Sequence, residues 1–178
     1  MSQLIPSTTP LRTYKDHTDA IRAVAVFPDG RRMVTGSYDK TVCLWDLRTG
    51  AMLKKMEGHR DRVATLAVSR HGRLIASGDR KGTFIIWHGE TGELLTQFTQ
   101  AHSNRIYTLE FSPDGTVLAS GSEDTTTKLW CKMTWQLQGN PIECRNCVRR
   151  VHIRRPASFL LLQHTTTFKS IRQIRGNA

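Results

Sequence analysis

His17, His59 and His102 recur at intervals of 42 and 43 residues, and no other feature of this chain restricts its fold as tightly. Three further series keep the same intervals: Gly30, Gly72, Gly115; Gly36, Gly78, Gly121; and Trp45, Trp87, Trp130. Agreement at four separate phases marks one structural unit laid down three times in succession. Periods of 20–50 residues are the mark of stacked or closed repeat architectures, in which a unit cannot bury its apolar face alone.

Each unit reads as strands. In the first, the β-branched run around Ile21, Val24 and Val26 stops at Pro28-Asp29-Gly30, where proline presets one turn dihedral and glycine accepts a positive φ. Arg32–Ser37 returns as a second strand, Tyr38-Asp39-Lys40 turns it into Thr41–Trp45, and Thr49-Gly50 leads into Met52–Met56. Arg70-His71-Gly72 and Pro113-Asp114-Gly115 take the first turn in the later units. Four short strands between turn signals predict one antiparallel sheet per unit, and no segment keeps an apolar helical period over 11 residues or more. The expected fold class is all-β: a partial β-propeller of four-stranded antiparallel blades, three intact blades plus a degenerate fourth. The chain divides into a disordered lead-in over 1–9, three blades over 10–140, and a degenerate basic blade or truncated terminal segment over 141–178.

The segments GSYDKTVCLWD, SGDRKGTFIIWH and SGSEDTTTKLWC, each preceded by its spaced histidine, resemble the WD-repeat family of β-propellers over roughly residues 10–140. The resemblance implies that Trp, Ser/Thr, His and Asp lock each blade as a hydrogen-bonded tetrad. In this chain the residues are His17, Thr35, Asp39 and Trp45, then His102, Ser120, Asp124 and Trp130. The second blade supplies His59, Ser77 and Trp87, but Lys81 stands where the family has aspartate, so His59 lacks an anionic acceptor unless Asp79 reaches across. The Trp-Asp dipeptide survives only at Trp45-Asp46. A group that appears once per blade is expected to be structural rather than catalytic, because buried polar atoms need partners.

Beyond the third unit the apolar rhythm continues through Val148, Val151, Ile153, Phe159 to Leu162, Phe168 and Ile171 while the signature fails. Cys144 replaces histidine, Leu162 serine, Thr166 aspartate and Arg172 tryptophan; Ala157 stands at the turn glycine, and Trp135 takes the turn position of Gly50 and Gly92. Propellers close with about four to eight blades, and an open stack leaves apolar faces and strand edges uncovered. The chain is therefore expected to be part of a larger propeller, to self-associate so that the ring is completed, or to be a fragment without independent function. Leu11–Tyr14 reads as a lone last strand of the kind such rings use for closure.

Net charge is +11, and residues 136–178 hold eight Lys/Arg against Glu143 alone. Such a patch attracts nucleic acid by counterion release, which makes a nucleic-acid-associated factor the rival functional reading. Nucleic-acid readers usually add stacking aromatics, and here only Phe159 and Phe168 lie among those charges. Cys144 and Cys147 have CxxC spacing, but eleven residues separate His152 from His164, against the three to five of a zinc site. No metal, cofactor or catalytic group is expected, nor a signal peptide or membrane span, and the expected location is intracellular, cytoplasm or nucleus. The leading functional reading is a non-catalytic scaffold for protein–protein interaction, with no membrane partner. The family's frequent contact positions fall on Arg22, Tyr38, Arg62, Arg80, Arg105, Tyr107 and Glu123, a set suited to acidic or phosphorylated peptides.

Overall fold

The computed structural model describes residues 12–154, 159–163 and 168–172. The lead-in over 1–9 and the signature positions Ala157 and Thr166 lie outside them. Every regular element is a strand. The first sheet is β1 (Ile21–Val26), β2 (Arg32–Ser37), β3 (Val42–Asp46) and β4 (Met52–Met56), antiparallel in that order. The second repeats it with β5 (Val63–Val68), β6 (Leu74–Asp79), β7 (Phe84–His88) and β8 (Leu94–Phe98). The third has β9 (Ile106–Phe111), β10 (Val117–Ser122), β11 (Thr126–Cys131) and the two-residue β12 (Ile142–Glu143). A fourth sheet of three strands follows: β13 (Arg150–Arg154), β14 (Phe159–Gln163) and β15 (Phe168–Arg172).

The second strand of each blade is buried along nearly its whole length, since sheets cover it on both faces. Phe27, Leu44, Val63, Ile75 and Trp87 form one core between blades one and two. Phe84, Ile106, Leu109, Leu118 and Trp130 form the next, and Val117, Ala119, Val148, Val151 and Ile153 the third. Cores between sheets, rather than within them, make this a radial stack of blades. Close approach is set by Gly36 and Gly121: a Cβ there would stand 2.6 Å from Val63 Cγ1 and 2.7 Å from Val148 Cγ1.

The turns follow the repeat. Gly30 has φ +67° and donates its N–H to Phe27 O at 2.9 Å. Trp135 adopts φ +56° where the earlier units have glycine, and its ring packs 6.3 Å from Phe98. The third blade extends past residue 140, because Ile142–Glu143 supplies its outer strand after a longer excursion. Residues 12–14 correct one expectation. They form no strand with any sheet, and Leu11 lies outside the described residues. Instead Arg12 Nη1 donates to Leu47 O at 2.8 Å and Tyr14 meets Trp45 edge-on at 5.3 Å. Among the described residues no helix is long and apolar enough to cross a membrane, and no group of three His, Cys, Asp or Glu is placed to hold a metal.

Candidate functional site

Beneath the loops at one end of the stack, each of the first three blades carries a chain of donors and acceptors running from tryptophan to aspartate. In blade one, Trp45 Nε1–H donates to Thr35 Oγ1 at 2.8 Å, His17 Nε2 lies 2.7 Å from that hydroxyl, and His17 Nδ1 lies 2.8 Å from Asp39 Oδ2. Blade three matches it: Trp130 to Ser120 at 2.9 Å, Ser120 to His102 at 2.7 Å, and His102 to Asp124 at 2.9 Å. The indole can only donate, so the hydroxyl proton goes to Nε2 and the imidazole donates through Nδ1 to the carboxylate. A neutral histidine satisfies every link, which fixes its tautomer.

Blade two reaches the same result with different residues. Trp87 donates to Ser77 at 2.7 Å and Ser77 meets His59 at 2.6 Å. The acceptor for His59 Nδ1 is Asp79 Oδ2, 3.0 Å away. Asp79 stands in line with Ser37 and Ser122, two positions before the aspartates of the other blades. Its Oδ1 also accepts the Lys81 and Thr83 N–H groups at 2.9 and 3.0 Å. One carboxylate thus does what Ser37 with Asp39, or Ser122 with Asp124, does elsewhere: Ser37 Oγ takes the Asp39 N–H at 3.1 Å and Asp39 Oδ1 takes the Thr41 N–H at 2.9 Å. Lys81 is released to solvent and lies 3.8 Å from Asp61.

Burial raises the Asp39 and Asp124 carboxyls, but hydrogen bonds from Thr41 and Thr126 and from the histidines outweigh it and hold both below the usual carboxylate range. Burial lowers His102 below its ordinary 6.5 despite the Asp124 charge beside it. The signs work in one direction. A histidine with a depressed folded pKa disfavours folding as pH falls through 6.5, when the unfolded chain takes up a proton that the fold refuses. The lowered carboxyls contribute stability above about 3.9, which is lost as pH falls towards their folded values. The melting temperature is therefore expected to drop in two stages on acidification, one beginning below pH 6.5 and one below about 4. A rise in melting temperature between pH 7 and 5 would show that His102 is held as a cation.

The loops above these chains carry the rim residues, and the structure draws five of them into two clusters. The Arg22 guanidinium stands 5.8 Å from the Tyr38 ring centroid, and Arg62, from the neighbouring blade, stands 5.0 Å from it. Arg105 lies 4.7 Å from Tyr107, and Arg149, from the segment entering the fourth sheet, lies 5.2 Å from it. Each tyrosine is thus held by one arginine of its own blade and one of the next. The backbone repeats this alignment, with the Tyr38, Arg80 and Glu123 N–H groups donating to Ala20, Arg62 and Arg105 carbonyls at 2.9, 3.1 and 2.9 Å. Among the described residues no carboxylate lies within ion-pair distance of the four clustered guanidiniums. Arg80 lines an open groove of about 1020 Å³ between blades two and three, with Arg60, Lys81 and Lys128. Glu123 is exposed and joins neither cluster. Arg149 is absent from the sequence-based set because it falls one residue out of phase with Arg62 and Arg105; its place among consecutive tail arginines concealed it.

Repeated four-stranded sheets packed face to face, each locked by a Trp–hydroxyl–His–Asp chain, define a propeller-type repeat protein. The WD domain, G-beta repeat, matches residues 8–46, 50–88 and 92–131, so the chain belongs to the WD40-repeat family. It is similar to the ribosome biogenesis protein BOP1 homolog of Drosophila willistoni, 48% identical over 44 residues, 25% of this chain and 6% of that protein. The Drosophila melanogaster homolog is 42% identical over 50 residues, 28% of this chain and again 6% of the relative. The chain thus matches only a small part of the length of these relatives, about one repeat. Among solved structures it is similar to the computationally designed Ika4 protein, with a TM-score of 0.81 and 26% identity, covering 93% of this chain and 99% of that one.

Proposed function

We propose that this chain is a non-catalytic, intracellular docking scaffold whose loop face captures acidic or phosphorylated peptide segments of protein partners. The observation that carries the reading is the pair of Arg–Tyr–Arg clusters on the rim. Stacking on tyrosine orients each guanidinium and removes part of the entropy that a free arginine loses on binding. With no carboxylate competing among the described residues, their donors remain for a ligand, and a planar guanidinium suits carboxylate or phosphate oxygens in bidentate contact. The cationic groove beside Arg80 extends the same potential between blades.

The histidines and aspartates of the three blades are occupied with one another and have no open position for a substrate. That supports a scaffold over a hydrolytic site. The BOP1 resemblance spans one repeat, and supports the blade chemistry rather than a role in ribosome assembly. The test is binding of fluorescent peptides, one rich in Asp/Glu and one phosphorylated, measured by anisotropy. Arg62→Glu combined with Arg105→Glu is expected to weaken the tighter of the two by about tenfold or more, since each charged hydrogen-bonded contact contributes roughly 1.5–3 kcal/mol. Unchanged affinity in the double variant would refute the docking face.

A further inference from the structure

Blade one leaves open a face that every later blade covers. Ile21 is 44% exposed, whereas Val63, Ile106 and Val148, which hold its place one, two and three repeats on, are 0% exposed. Val26 is 58% exposed and its counterpart Ile153 only 1%. Val24, 59% exposed, corresponds to Val151 at 1%. The three side chains already have the shape and spacing of an inter-blade seam, without the blade that would meet them.

The segment before β1 points to the same absent neighbour. Tyr14 lies against Trp45 at 5.3 Å, as Phe98, at the end of β8, lies 5.6 Å from Trp130. Met56, at the end of β4, packs in the same core as Trp87. By this correspondence Tyr14 ends a fourth strand that belongs to a blade in front of blade one. At the far end of the stack the fourth sheet has three strands among the described residues, with β15 at its edge. One end presents a strand with no sheet, and the other a sheet short of a strand.

We infer that two copies of this chain join, blade one of each against the fourth sheet of the other, into one closed ring of eight blades. The residues leading to Tyr14 of each copy add along β15 of its partner. Eight blades fall within the range in which rings close. Twofold symmetry satisfies both open ends at once, leaving no free edge to propagate. The association is weak for a reason visible in the register. Gly121 opposes Thr108, and Gln163 opposes Arg150 in the equivalent pairing of the fourth sheet. A Cβ at Gly36 or Gly121 would press into the next blade's valine at 2.6 or 2.7 Å. Gln163 brings such a Cβ to the seam, where the partner's Ile21 must seat.

Sedimentation velocity and light scattering over a concentration series test this inference independently of peptide binding. A monomer–dimer equilibrium is expected. Val24→Asp with Val26→Asp leaves a monomer at every concentration, and because both positions are exposed its tryptophan-fluorescence melt still shows a folded chain. Gln163→Gly moves the dimerisation midpoint about tenfold lower in concentration. A wild-type monomer at the highest concentration, open-ended polymers, or a midpoint that Gln163→Gly leaves in place would each overturn the eight-bladed ring.

Discussion

Replacing Asp79 by alanine is expected to cost about 3–5 kcal/mol of folding stability, the range for removing one partner of a buried ionic pair. The side chains of His59 and Asp79 are 0% and 1% exposed, so no water can take over the lost contact. The substitution leaves His59 Nδ1–H without an acceptor, and the Lys81 and Thr83 N–H groups lose theirs at the same turn. Folded domains are stable by only 5–15 kcal/mol, so a large share of the total is involved. Chemical denaturation followed by tryptophan emission measures it. The companion experiment separates charge from position: Asp79→Ser with Lys81→Asp rebuilds in blade two the arrangement of Ser37 with Asp39. This double variant is expected to recover most of the loss. Were Asp79→Ala to lower stability by less than about 1 kcal/mol, His59 would have to be finding another acceptor.

Asp79 also marks where reading the sequence reaches its limit. The spacing singles out the residues of the blade-one and blade-three chains because the same physical requirement falls at the same phase in each repeat. In blade two the requirement is met from two positions earlier in the turn, and residue spacing does not record side-chain reach. The outer strand of blade three is hidden for a related reason: its two residues follow a long excursion after Trp130, and neither carries a signature side chain. The fourth sheet is the converse case. Its hydroxyl, aspartate and tryptophan are gone, yet Val148, Val151 and Ile153 keep the apolar spacing that packs onto blade three, and burial between blades is enough for β13 to form there. Arg149 and Tyr14 escape notice because their significance lies in a partner on another blade, Tyr107 and Trp45 respectively. What the repeat encodes legibly is the interior of each blade. What it encodes poorly is contact across blades by residues that occur once.

The seam between blades two and three yields the second large effect, at Gly82. Lys40, Gly82 and Thr125 occupy equivalent turn positions, with φ of +71°, +77° and +68°. Since lysine and threonine accept this backbone, the left-handed conformation alone does not demand glycine at 82. The demand comes from the neighbouring blade: a Cβ on Gly82 would lie 2.0 Å from the His102 carbonyl oxygen and 2.9 Å from that of Asn104. Those atoms are backbone and cannot rotate aside. They are also tied down, because His102 N–H donates to Gly82 O at 3.1 Å and the His102 imidazole anchors the chain of blade three. Gly82→Ala must therefore separate blades two and three, and is expected to cost about 3 kcal/mol or more, at or beyond the upper end of ordinary overpacking. The matching substitutions Lys40→Ala and Thr125→Ala serve as controls and are expected to remain within about 1 kcal/mol of wild type, since each lies at a turn that already carries a side chain. Denaturation midpoints of the three variants decide the matter: equal losses at all three would place the strain in the turn conformation, whereas a loss confined to Gly82→Ala places it in the contact between blades.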